Sequence, residues 1–194
     1  KQEFVQIFQD NIKRPGAEAL LQWLVSTDFF IAPASTKYHC AFEGGLALHS
    51  INVYKILKKR CDEYDAGKYS DETIAICGLL HDICKANFYS ISTRNVKNER
   101  GRWEQRPYYT VEDKFPFGHG EKSVFIIERC MRLKEEEAVA IRWHMGGFDE
   151  SARAGGFTIS HAYEQYPLAC LLHLSDLDAT YLAEQGQNVL HQNG

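Results

Sequence analysis

The sequence predicts an all-α protein, a bundle of helices interrupted by one small β-hairpin around residues 90–112. Three observations lead there. Apolar residues recur at helical spacing over most of the chain, as at Phe4, Ile7, Phe8 and Ile12, and again at Leu46, Val53, Ile56 and Leu57. The pairs Pro15-Gly16, Gly44-Gly45 and Gly146-Gly147 punctuate these stretches where helices should start or stop. Only the segment between 90 and 112 alternates in the manner of strands, with Asn98-Glu99-Arg100-Gly101 as its turn.

Taken in order, residues 3–13 and 17–26 read as two packing helices separated by Pro15-Gly16. Residues 27–43 show no clean period and read as an ordered loop. A long helix follows, with Leu46, His49, Val53, Ile56 and Leu57 on one face and Lys55, Lys58, Lys59 and Arg60 on its solvated side. Residues 62–69 form a polar connection. Ser70, with Asp71 and Glu72 behind it, starts the next helix with N-cap chemistry and acids in its first turn. That helix, AICGLLHD at 75–82, is apolar until it reaches the adjacent pair His81 and Asp82. After the hairpin, helix returns over 119–131 and 134–143, residues 149–160 read as loop, and one last helix spans 163–184. The expected layout is a single domain over 1–194, with N-terminal packing helices to 31, a core over 32–184 and a polar tail over 185–194.

Composition narrows the function classes. Hydrophobic residues at 44% and charged residues at 25% suit a soluble globular chain. The net charge of −4 argues against a surface that coats duplex nucleic acid, while leaving room for a local basic patch. The six cysteines include no CxxC and lie far apart, so reduced thiols in a cytoplasm are the expectation. No run approaches 18 apolar residues and no signal-peptide pattern opens the stretch, so no membrane contact is expected.

The histidines carry the chemistry. Of eight, His49, His81, His119 and His144 each fall in or at the end of a predicted helix, flanked by apolar residues or glycine. One such histidine is commonly a satisfied core residue. Four of them, together with Asp82 and with Asp176 in an apolar final helix, are sustainable only if they share partners or a metal. Mixed imidazole and carboxylate ligation suits Mn²⁺, Fe²⁺, Co²⁺, Ni²⁺ or Zn²⁺ more than Mg²⁺.

The order His49, then His81-Asp82, then an aspartate in a late helix resembles the HD superfamily of metal-dependent phosphohydrolases, whose pattern is H…HD…D on a helical bundle. The likeness is carried by GGLALHS at 44–50, GLLHDICK at 78–85 and HLSDLDA at 173–179. The stretch PASTKYHCAFEGGLALH at 33–49 is similar in particular to the HD domain of bacterial 3′-to-5′ exoribonucleases. The resemblance covers about residues 32–184. It implies a first metal site of His49, His81, Asp82 and Asp176, with His119 and His144 added for a second ion and Asp82 bridging the two. The resemblance also implies Asp176 rather than Asp178, because family members place the ligand in the first acid of such a helix; residues two apart point about 200° apart, so only one can face the site. The family often has glycine where Cys84 stands.

The implied activity is hydrolysis of a phosphomonoester or phosphodiester bond by metal-activated water, on a nucleotide or a short single-stranded oligonucleotide. Asp82 and Lys85 are the candidate catalytic residues, Lys85 also holding the scissile phosphate. Arg94, Lys97, Arg102 and Arg106, interleaved with Tyr89, Trp103, Tyr108 and Tyr109, form a candidate flap that stacks a base and grips phosphates. His39 stands where the resemblance places a histidine at the site entrance. His173, one turn before Asp176, either orients it or packs in the core. The alternative is a non-catalytic module in which the same site senses a nucleotide or the hairpin binds a partner.

Overall fold

The computed structural model describes residues 1–65 and 67–185. Its elements are α1 (Gln2–Asn11), α2 (Ala17–Ser26), α3 (Gly45–Asp65), α4 (Asp71–Leu80), β1 (Tyr89–Lys97), β2 (Trp103–Val111), α5 (His119–Glu128), α6 (Glu135–Trp143), α7 (Glu150–Arg153), α8 (Thr158–Gln165) and α9 (Pro167–Asp178). A 3₁₀ turn at Ile83–Lys85 follows α4, another at Gly146–Phe148 follows α6, and a π-helical turn at Ala179–Ala183 follows α9. The architecture is the expected bundle of helices carrying one two-stranded antiparallel sheet.

Helix α4 is the axis of the bundle. Every residue from Thr73 to Leu80 is buried, which is why its sequence is apolar on all sides. Ser70 caps it as anticipated, its side chain accepting from the Thr73 amide. Helix α3 packs against α4 on one side and α9 on another, and α6 bridges α5 and α9. The crossing of α3 and α4 depends on Gly78, where a Cβ would stand 2.5 Å from the Tyr54 Cα. The entry into α3 depends on Gly45 in the same way, a Cβ there meeting the Cys40 carbonyl. The N-terminal helices share the hydrophobic core, with Phe4 of α1 packed edge-on against Phe29 and Phe30 at 5.2 and 5.4 Å. Arg14 ties their connecting loop to the bundle. Its guanidinium donates to both oxygens of the fully buried Glu137, at 2.7 and 2.8 Å, and to Glu72 at 3.2 Å.

Strands β1 and β2 pair from Tyr89↔Val111 to Lys97↔Trp103. The turn forms as its residues foretell: the Asn98 side chain accepts from the amides of Arg100 and Arg102, and Gly101 takes φ +73°. Among the described residues no helix is long and apolar enough to cross a membrane.

The structure departs from the sequence reading in three places. Residues 62–65, expected in a polar connection, are the last turn of α3. Residues 149–160 are not simply loop, because Asp149 caps α7 by accepting from the amides of Ser151 and Ala152, and α8 begins at Thr158. The single last helix is two. Pro167 opens α9, and Tyr166 before it sits at φ −128°, ψ 80°, outside the helical region a residue preceding proline avoids. Of the expected polar tail, residues 186–194 and with them His191 lie outside the described residues.

Candidate metal centre

Five elements deliver side chains to one buried spot. His49 comes from the first turns of α3, His81 from the C-terminal end of α4, and Asp82 from the residue after it. His119 opens α5, His144 ends α6 and Asp176 lies in α9. His49, His81 and His144 have no exposed surface, and Asp82 keeps 3%.

The hydrogen bonds of these histidines decide what they offer. His81 Nδ1 donates to the Gly78 carbonyl at 2.9 Å and His144 Nδ1 to the Ile141 carbonyl at 2.6 Å. Each closes the last turn of its own helix, where carbonyls lack an intrahelical partner. His49 lies inside α3, where the carbonyls are already taken. Its Nδ1 instead meets the carboxylate of Glu184 at 3.1 and 3.2 Å. Glu184 is fully buried and held in turn by Asn52 Nδ2 at 2.9 Å. With Nδ1 occupied, the lone pair of each ring is left on Nε2. All three Nε2 atoms are buried; those of His81 and His144 have no hydrogen-bond partner, and that of His49 has only the Asp176 carboxylate beside it.

They converge on Asp82, and its two oxygens divide them. Oδ2 lies 3.8 Å from His49 Nε2 and 3.6 Å from His81 Nε2. Oδ1 lies 2.6 Å from His119 Nε2 and 3.4 Å from His144 Nε2. Asp176 Oδ1 closes the first group, 3.1 Å from His49 Nε2, whereas Asp178 turns away to pair with Arg60. Buried imidazole nitrogens without a donor, facing carboxylates, are what a cation would satisfy and what an apolar core would not tolerate. The residues therefore fit one or two divalent ions, with donor atoms that cluster as His49, His81 and Asp176, as His81, Asp82 and His144, and as Asp82, Cys84 and His119.

The electrostatics divide the rings according to their carboxylate neighbours. Burial holds His81 neutral, its pKa down to about 3, which is the ligand form. Burial also opposes charge on His49, but the carboxylates of Asp176 and Glu184 outweigh it and push the ring up to about 10. His119 likewise rises to about 10 despite burial, through Cys84 and Asp82. Asp82, although buried, is held well below the usual carboxylate range by Lys85 and the histidines.

A cavity of about 630 Å³ opens onto the centre. Asp82, Lys85, His119, Asp176 and His39 line its polar side, and Tyr38, Met145, Phe148, Leu177 and Tyr181 its apolar side. Lys85 Nζ lies 2.6 Å from Asp82 Oδ2, and the His39 ring lies tilted beside that of His49, centroids 4.8 Å apart. Arg94, Arg102 and Arg106 do not line this cavity. They stand on the hairpin, where Arg94 covers the Tyr108 ring at 5.2 Å and Arg106 pairs with Glu104. His173 lines the cavity and donates to the His144 carbonyl at 2.7 Å, steadying the end of α6 rather than Asp176. Sequence reasoning missed Glu184. The signal was present: it is an acid two turns beyond Asp176 at the end of the same apolar stretch.

No curated protein and no solved structure matches the chain. A family model described as HD domain matches residues 46–181, a span that holds all six candidate ligands. The chain belongs to the HD-domain family, within the superfamily of metal-dependent phosphohydrolases.

Proposed function

We propose that the protein is a phosphohydrolase that cleaves a phosphomonoester or phosphodiester bond of a nucleotide or short single-stranded oligonucleotide. The observation that carries this reading is the set of three buried Nε2 atoms, facing only carboxylates and divided between the two oxygens of Asp82. A divalent ion at such a centre supplies Lewis acidity toward a phosphoryl oxygen and acidifies water. His49, His81, Asp82 and Asp176 hold the first ion, and Asp82, His119 and His144 the second, with Mn²⁺, Fe²⁺, Co²⁺, Ni²⁺ or Zn²⁺ favoured over Mg²⁺.

The protein's own part is positioning. Asp82 keeps both ligand groups in register through one rigid carboxylate. Lys85, at the cavity wall beside it, holds a phosphate oxygen. Tyr38, Phe148 and Tyr181 offer flat apolar surface for a base, and His39 flanks the approach. For an oligonucleotide, Arg94, Arg102 and Arg106 on the hairpin take phosphates beyond the cavity, in keeping with the likeness of residues 33–49 to exoribonuclease HD domains.

The test joins elemental analysis to a screen of mononucleotides, cyclic dinucleotides and short RNA or DNA with Mn²⁺ added. Bound transition metal and phosphate or nucleoside release are expected, and Asp82→Ala should abolish both. Turnover that survives Asp82→Ala removes the assignment. Bound metal with no turnover on any substrate favours the sensing module.

A further inference from the structure

The two ligand groups around Asp82 are unequally charged. The first has the whole carboxylate of Asp176 besides its share of Asp82. The second has that shared carboxylate and two imidazoles, so a divalent ion there would be left with a poorly compensated charge. Next to it stands Cys84, 2% exposed, in the 3₁₀ turn that follows Asp82. Its amide donates to Ser123 Oγ of α5 at 3.3 Å, which clamps the turn against the helix that carries His119. Its Sγ lies 3.6 Å from both ring nitrogens of His119. A carboxylate oxygen of Asp82, Cys84 Sγ and a His119 nitrogen all fall within 4.8 Å of one another. A tetrahedral ion with a metal–sulfur bond of about 2.3 Å and a metal–nitrogen bond of about 2.1 Å separates those two atoms by roughly 3.6 Å. An independent feature stands beside it: His144 Nε2, wholly buried and without a hydrogen bond, faces at 3.4 Å the same Asp82 Oδ1 that His119 meets. Cys77, by contrast, sits inside the apolar core, where burial pushes its thiol well up and it behaves as a small hydrophobe.

We propose that Cys84 is a thiolate ligand of the second ion, completing a donor set of Asp82, His119, His144 and Cys84. It rests on the metal reading above and goes beyond it. As the sulfur–metal bond forms, the S–H bond breaks and its proton leaves to solvent. The added negative charge offsets the deficit at that position, and the soft donor biases it toward Zn²⁺, Co²⁺ or Fe²⁺ and away from Mn²⁺ and Mg²⁺. The two positions then differ in preference, the first set by nitrogen and oxygen alone.

The experiment titrates metal-free protein with Co²⁺ and reads the near-ultraviolet spectrum, with Zn²⁺ X-ray absorption as a second probe. Expected is a sulfur-to-cobalt charge-transfer band that grows with the second equivalent, and a sulfur neighbour at about 2.3 Å from zinc. Cys84→Ser and Cys84→Gly should lose both and weaken the second Zn²⁺ by at least about tenfold, while Cys170→Ser keeps them. Circular dichroism of the metal-free variants checks that each folds. Two bound ions with nitrogen and oxygen neighbours only, or a band that persists in folded Cys84→Ser, overturns the proposal and leaves the hydrolase reading standing. A wild type that binds no Co²⁺ or Zn²⁺ overturns both.

Discussion

The bundle and the hairpin hold their polar side chains by opposite means. In the bundle, His49, His81 and His144 have no exposed surface, and each ring is pinned through Nδ1 by a named acceptor. On the hairpin, the ladder fixes the backbone while the side chains stand in water, with Ile91 at 70% and Trp103 at 68% exposure. Arg94 even lies directly opposite Arg106, an arrangement of like charges that the Glu104 carboxylate paired with Arg106 offsets. The difference separates two tasks. Holding a small ion demands donor atoms fixed to tenths of an ångström, which only close packing provides. Gripping a flexible polyanion tolerates mobile charges on an open surface.

The sharpest way to break this comparison is through the packing. Gly78→Ala would put a methyl 2.5 Å from the Tyr54 backbone, so α3 and α4 must separate, at about 3 kcal/mol. Gly101→Ala at the hairpin turn meets nothing within 4 Å and pays only for its positive φ, about 1 kcal/mol. Thermal melts should therefore show a fall of roughly 6–12 °C for the first and a few degrees for the second. Equal falls would mean that the bundle is no more closely packed than the hairpin.

A smaller effect tests the pinning of the rings. Glu184→Ala frees His49 Nδ1 and should weaken binding of the first ion by about 10–100-fold in a calorimetric titration. Glu184→Gln, which keeps an acceptor, should recover part of that loss. Unchanged affinity in Glu184→Ala would show that packing alone orients His49.

The smallest effect belongs to the hairpin. Arg94→Ala combined with Arg106→Ala should raise KM for a short oligonucleotide by about three- to tenfold, leave kcat and metal content unchanged, and flatten the salt dependence of KM. An unchanged KM would make both arginines solvated charges. A fall in metal content would mean that hairpin and bundle are not independent.

Much of the fold could be read from local signals. The unbroken apolar run of α4 identifies a helix buried on all sides, Ser70 its start and Asn98–Gly101 the hairpin turn. The misses were local signals as well: Pro167 splits the expected last helix but was overridden by the apolar run that continues past it, and Asp149 caps a short helix but was overridden by the polar residues and glycines that follow it. For the centre, all six ligand candidates were visible because each sits on an apolar helix or at its end. Glu184 showed only as an acid at the end of an apolar stretch, since its burial comes from the π-helical turn that folds it back onto α3.

The sequence by itself determined most of the helices, their order, and the presence of four histidines and two aspartates where helices end or are apolar. Only the tertiary structure decided which nitrogen of each ring is free, how the two oxygens of Asp82 are shared, and that Cys84 stands beside His119. The reason is physical. Helical spacing is set by bonds within one segment, whereas the direction of a lone pair depends on hydrogen bonds and packing among segments far apart in the chain, as between His49 and Glu184, 135 residues away.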